Sequence, residues 1–141
     1  MRDMSSLRQM GSGDRMMSEE QIIFEALDGL AAGFNAHDID VIMGYFAEDC
    51  SLDLPRGSES HGSRYIGRDQ VRRGIMSRFQ TTPDVRYTEV EHFANGRTGM
   101  SKWLLTGTNI QGVKLSVRGC DFYTFNDCKV TRKDSYWKIV D

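Results

Sequence analysis

Two hydrophobic rhythms divide the chain. Apolar residues first recur at four, three and four positions (Ile23, Leu27, Leu30, Phe34), the spacing of one face of an amphipathic helix of about four turns. Ahead of it, Ser18-Glu19-Glu20-Gln21 has capping-box form: a hydroxyl for an orphan amide, and a Gln that reaches back. Asn35-Ala36-His37-Asp38 breaks the helix, and Asp38 is placed to cap a short second helix carrying Ile39, Ile42, Met43 and Phe46. Residues 50–54 alternate as a strand that Pro55 and Gly57 end, and residues 56–67 read as a loop. Val71, Ile75 and Phe79 share one face of a third helix predicted from Asp69 to Phe79, with Arg68, Arg72, Arg73 and Arg78 assigned to its solvated side.

From Pro83 the period changes to two. Turn signals at Asn95-Gly96, Gln111-Gly112 and Asn126-Asp127 cut the remainder into four segments rich in Val, Thr, Tyr, Phe or Trp, which predicts an antiparallel meander. Helices followed by strands, not alternating with them, place the chain in the α+β class. A twisted sheet with one apolar face must then pack on the helices, leaving room for a pocket between the two.

Residues 1–17 follow neither rhythm. They hold five of the eight methionines and lack the apolar core and small-residue cleavage site of a signal peptide. The expectation is a disordered tail over 1–17 and one domain over 18–141. Charge and cysteine content narrow the function classes. With 18 Lys+Arg against 20 Asp+Glu the chain is slightly acidic, whereas nucleic-acid binding draws most of its affinity from a basic surface. No apolar run approaches the ~18 residues that span a bilayer. Cys50, Cys120 and Cys128 follow no metal-binding spacing, so free thiols in a cytoplasmic protein are expected.

The candidate chemistry lies in the third long strand. Val113, Leu115, Val117, Gly119, Asp121, Tyr123 and Phe125 alternate on one face, so a carboxylate stands in the middle of the apolar set. A buried carboxylate is costly unless it is paired, hydrogen-bonded or protonated, and desolvation moves it toward acid/base use. The competing reading is a structural acid bonded to backbone or Tyr. In the last strand Val130, Arg132, Asp134 and Tyr136 alternate together, which would turn Asp134 toward the same cavity as Asp121; the alternative is a solvated ion pair with Arg132 or Lys133. Asp53 points away from Cys50, Leu52 and Leu54 and is either a rim or a pocket residue. Trp103 is a pocket wall or an ordinary core aromatic. His92, beside Val90 and Ala94, reads as a satisfied, partly buried histidine.

The fragments Asn35-Ala36-His37-Asp38-Ile39-Asp40, Tyr45-Phe46-Ala47-Glu48-Asp49-Cys50, Gly119-Cys120-Asp121-Phe122 and Asp127-Cys128-Lys129-Val130 resemble, in this order and spacing, the SnoaL-like branch of the nuclear transport factor 2-like superfamily. The resemblance covers roughly residues 19–141. It implies a conical barrel, three helices in the concavity of a strongly bent, mostly antiparallel sheet, and a homodimer formed through that sheet. By the same resemblance Asp121 corresponds to an acid of ketosteroid isomerases, limonene-type epoxide hydrolases and SnoaL-type polyketide cyclases, and Asp134 to the second acid of the epoxide hydrolases. The general base of the isomerases falls on Leu54 and their oxyanion-hole Tyr on Leu30. The epoxide hydrolases' bridging Arg falls on Gly119, their water-positioning Tyr and Asn on Ser51 and Asp53, and the cyclases' companion His on Asn109.

The expected function is therefore that of an isomerase, cyclase or hydrolase acting on a small apolar or cyclic carbonyl or epoxide, with Asp121 and Asp134 catalytic. Asp53, Trp103, Asn109, Tyr123, Tyr136 and Phe34 are the expected substrate contacts, and no metal or organic cofactor is required. The alternative is a non-catalytic binding or dimeric scaffold member. An open cavity containing Asp121, with a second acid close enough to share a water, would favour the enzyme, and a cone plugged by Phe34, Trp103 and Tyr123 would sink that reading.

Overall fold

The computed structural model describes residues 17–141, so the tail expected over 1–17 lies, apart from Met17, outside the described residues. Ser18 caps α1 (Glu19–Ala36) as its sequence dictates: its hydroxyl accepts from Gln21 N at 3.1 Å, and its own amide donates to Gln21 Oε1 at 2.9 Å. The helix stops at His37, which takes the left-handed conformation (φ 54°) and bonds back to Gly33 and Phe34. Asp38 then caps α2 (Ile39–Met43) through Val41 N. The third helix, α3, runs Arg68–Thr81, slightly longer at each end than its apolar face predicts.

The strand expected at 50–54 is the end of a longer one, β1 (Phe46–Asp53). Within the segment read as loop, Arg64–Ile66 forms a short strand, β2, antiparallel to β1. Three residues are too few to show alternation, so only the pairing reveals it. The meander follows as β3 (Arg86–Asn95), β4 (Thr98–Thr108), β5 (Lys114–Asn126) and β6 (Lys129–Trp137). Among the described residues the six strands form one mixed sheet in the order β2-β1-β6-β5-β4-β3, in which only β1 and β6 are parallel.

The helices lie against one face of this sheet, α1 on β3 and β4, and α3 on β1 and β2. Between them sits the core, which includes the fully buried Ile23, Leu27, Leu30, Ile42, Leu52, Val71, Leu105 and Phe125. Burying each Leu, Ile or Phe stabilises the fold by about 1.5–3 kcal/mol. Among the described residues no helix is long and apolar enough to cross a membrane.

One irregularity matters for the site. Phe125 pairs with Val130 but Thr124 pairs with Arg132, so Thr131 is an extra residue bulged out of β6. Beyond it the alternation inverts. Val130 faces the core, and so do Lys133 and Ser135, not Arg132 and Asp134.

Candidate functional site

Asp121 is where the sequence pattern places it. The β4–β5 register is unbroken from Thr98 to Thr108, no bulge intervenes at Gly119, and Asp121 points to the concave face at 6% exposure. Gly119 explains what happens next to it. It stands opposite Trp103, and a Cβ there would come within 2.5 Å of the indole. The missing side chain lets the indole lie flat on the strand, and its Nε1 donates to Asp121 Oδ2 at 3.0 Å.

The other carboxylate oxygen is met by β6. Ser135, the cross-strand partner of Asp121, donates to Oδ1 at 2.5 Å, and Lys133 Nζ donates to the same oxygen at 3.1 Å. Lys133 also donates to Ser135 Oγ at 2.9 Å and lies 5.2 Å from the centre of the Phe34 ring. The side chains of Lys133 and Asp121 are only 9% and 8% exposed, so this is a buried ion pair with charge-assisted bonds.

Two small cavities meet at Asp121. One, about 20 Å³, is lined by Leu27, Ala31, Phe34, Val90, Ser101 and Tyr123 together with Tyr87, Trp103 and Asp121. The other, about 30 Å³, lies toward Leu54, Ile75, Arg78, Lys133, Ser135 and Trp137. Each has room for one or two waters. Phe34 and Trp103 line both spaces and Tyr123 the first, and the Asp121 carboxylate borders both. Burial, and next the nearby Asp121 carboxylate, push the phenols of Tyr87 and Tyr123 upward, so both keep their protons.

The remaining candidates fall elsewhere. Asp134 pairs across the sheet with Phe122 and accepts from the Tyr136 hydroxyl at 3.2 Å, so both Asp134 and Tyr136 sit on the convex face. The expectation that Asp134 shares a cavity with Asp121 is corrected by the Thr131 bulge. Asp53 is also convex, yet it is 1% exposed, held by Arg64 at 2.7 and 2.9 Å and by Arg132 at 3.4 Å. The Arg64 hydrogen bonds hold its carboxyl below the usual range, against the opposing effect of burial. Asn109 closes the β4–β5 turn by accepting from Gln111 N and Val113 N, outside both cavities. Arg78, assigned to a solvated face, instead stacks on Trp137 at 4.6 Å beside the second cavity.

Sequence reasoning missed Lys133 and Ser135, because only the bulge turns them inward. Tyr87 and Ser101 were missed as well, although alternation carried a signal for both. Ser101 alternates with Trp103 and Leu105 on the apolar face of β4, and Tyr87 opens a segment of the same period.

A SnoaL-like domain model matches residues 27–133. Comparison with solved structures finds the same fold at low identity. A candidate polyketide cyclase from Xanthomonas campestris pv. campestris superposes with a TM-score of 0.76 at 20% identity, over 86% of this chain and 93% of that one. A candidate isomerase from Bacillus subtilis gives 0.73 at 17% identity, over 86% and 90%. TerC, co-crystallised with polyporic acid, gives 0.72 at 19% identity, over 83% and 92%. Comparison with curated proteins returns no match.

Proposed function

The chain belongs to the SnoaL-like domain family, and from that premise we propose that it isomerises or cyclises a small organic carbonyl compound by proton transfer at Asp121. The observation that carries this reading is the buried Asp121–Lys133 pair in the wall shared by both cavities. Asp121 takes a proton from the carbon next to the carbonyl. The electron pair moves onto the carbonyl oxygen, where the Lys133 ammonium stabilises the enolate in a site with little water. Returning the proton to a different carbon isomerises the substrate; attack of the enolate carbon on a second carbonyl closes a ring. A division of base and acid roles between Asp121 and Asp134 does not fit, since the sheet stands between them.

A second reading has an observation of its own. Asp121 already accepts three hydrogen bonds and the cavities are small, as in a cone that binds or merely folds without turnover. Exchange of α-protons into D₂O, followed by proton NMR on a panel of β-diketones and enones, separates the two. The enzyme reading expects exchange above the buffer rate, slowed about 10²–10⁴-fold by Asp121→Asn. The Asp121→Asn/Lys133→Met double variant, which leaves no unpaired charge, should remain folded and equally inactive. Exchange at the wild-type rate in either variant removes Asp121 from the chemistry. No exchange by the wild type on any member of the panel supports the second reading.

A further inference from the structure

A row of polar side chains crosses the concave face perpendicular to the strands: His92, Ser101, Asp121 and Ser135 are successive cross-strand partners on β3, β4, β5 and β6. The half nearer α1 is bonded separately from the Asp121 pair. Ser101 Oγ lies 2.8 Å from His92 Nδ1, and His92 Nε2 lies 3.1 Å from Asp28 Oδ1 on α1. The imidazole is only 6% exposed and is held edge-on by Phe24 at 5.7 Å, whereas Asp28 stands 65% exposed at the surface.

The donor and acceptor roles follow from the partners. An ionised carboxylate only accepts, so Nε2 carries the imidazole proton toward Asp28. Nδ1 is then the free lone pair, and the Ser101 hydroxyl donates to it. This is the order of a nucleophile, its base and the group that orients the base. Burial also pushes the His92 imidazole down, against the pull of Asp28, which favours the neutral form a base requires.

The geometry points to Ser101 as a nucleophile, activated by His92 and oriented through Asp28, that takes up a short apolar acyl group from an ester in the cavity beside Asp121. This does not rest on any role for Asp121. The cavity onto which Ser101 opens is walled by Leu27, Ala31, Phe34 and Val90 and has the room of one or two waters, which limits the acyl group to about the size of acetyl. In the step itself Ser101 Oγ bonds to the carbonyl carbon and its proton passes to His92 Nδ1. The ester C–O bond breaks, and the leaving alcohol takes that proton. Water then releases the acid by the same route. Tyr87 and Tyr123, both protonated and in the same cavity, are the hydroxyl donors available to the oxyanion.

Methanesulfonyl fluoride tests this on the full chain without knowledge of the natural ester. Ser101 Oγ displaces fluoride from sulfur and the proton passes to His92, leaving one methylsulfonyl adduct. The expected result is a single adduct by intact mass, mapped to Ser101 and absent from Ser101→Ala. Labelling should slow about 10²-fold in His92→Gln. Asp28→Asn, at an exposed position that leaves the core untouched, should also slow it, and far-UV circular dichroism confirms the fold of each variant. A wild type that is not labelled at Ser101, or is labelled no faster than both His92→Gln and Asp28→Asn, overturns the proposal and leaves the three side chains as a stitch between α1 and the sheet.

Discussion

Asp53 and Asp121 are buried to nearly the same degree, on opposite faces of one sheet, and each is held by a basic side chain. Their surroundings differ. Arg64 grips Asp53 with two parallel bonds while keeping 31% of its own side chain in water, and neither cavity reaches the pair. Lys133 is as dry as Asp121, and the carboxylate forms part of the wall of two cavities. Burial of an acid therefore does not by itself mark a site. What separates the two is whether the space beside the carboxylate is filled by protein or left open.

The comparison breaks hardest at the inner pair. Lys133→Met leaves a dry carboxylate without its cation and should cost about 3–5 kcal/mol in chemical denaturation. Adding Asp121→Asn should restore most of that loss, because a neutral amide and a thioether of similar volume leave no charge buried. Additive losses in the double variant would mean that the two side chains do not act as a pair.

At the outer pair, Asp53→Ala should cost about 3 kcal/mol, the lower end of the same range, because Arg64 can turn to water. Its pH dependence has a fixed sign. The folded carboxyl is held below its unfolded value, so its contribution is present above about pH 4 and is lost as pH falls through the folded value. An acid titration of stability should therefore be flatter in Asp53→Asn than in the wild type, and an unchanged acid limb would deny the pair that role.

The mildest change, Gly119→Ala, sharpens the comparison without touching a charge. The new methyl meets the Trp103 indole and the Tyr136 carbonyl, for an expected cost of about 1–3 kcal/mol. It should shift Trp103 fluorescence by pulling Nε1 off Asp121, while Asp53 and its arginines stay as they are. A spectrum identical to wild type would show that the indole does not depend on the glycine.

The helices were legible because their signals are local. Ser18 with Gln21 and Asp38 with Val41 N make the bonds their spacing announces, and the period of Ile23 to Phe34 fixes which face of α1 is buried. The inward turn of Asp121 was legible for the same reason, since β5 keeps strict alternation across its pairing with β4. β2 was not, because Arg64–Ile66 has no rhythm of its own and exists only as a partner of β1. Asp134 was misplaced because period-two reasoning assumes an unbroken ladder, and one extra residue at Thr131 exchanges the two faces of everything after it.

By itself the sequence determined the three helices, the caps of the first two, the four long strands of the meander and the presence of one carboxylate on an apolar face, all of which depend on neighbours a few residues apart. Only the tertiary structure decided what that carboxylate meets. Lys133, Ser135 and Trp103 reach Asp121 through strand registers, a bulge and the space left at Gly119, which are properties of pairs of strands and not of any one segment.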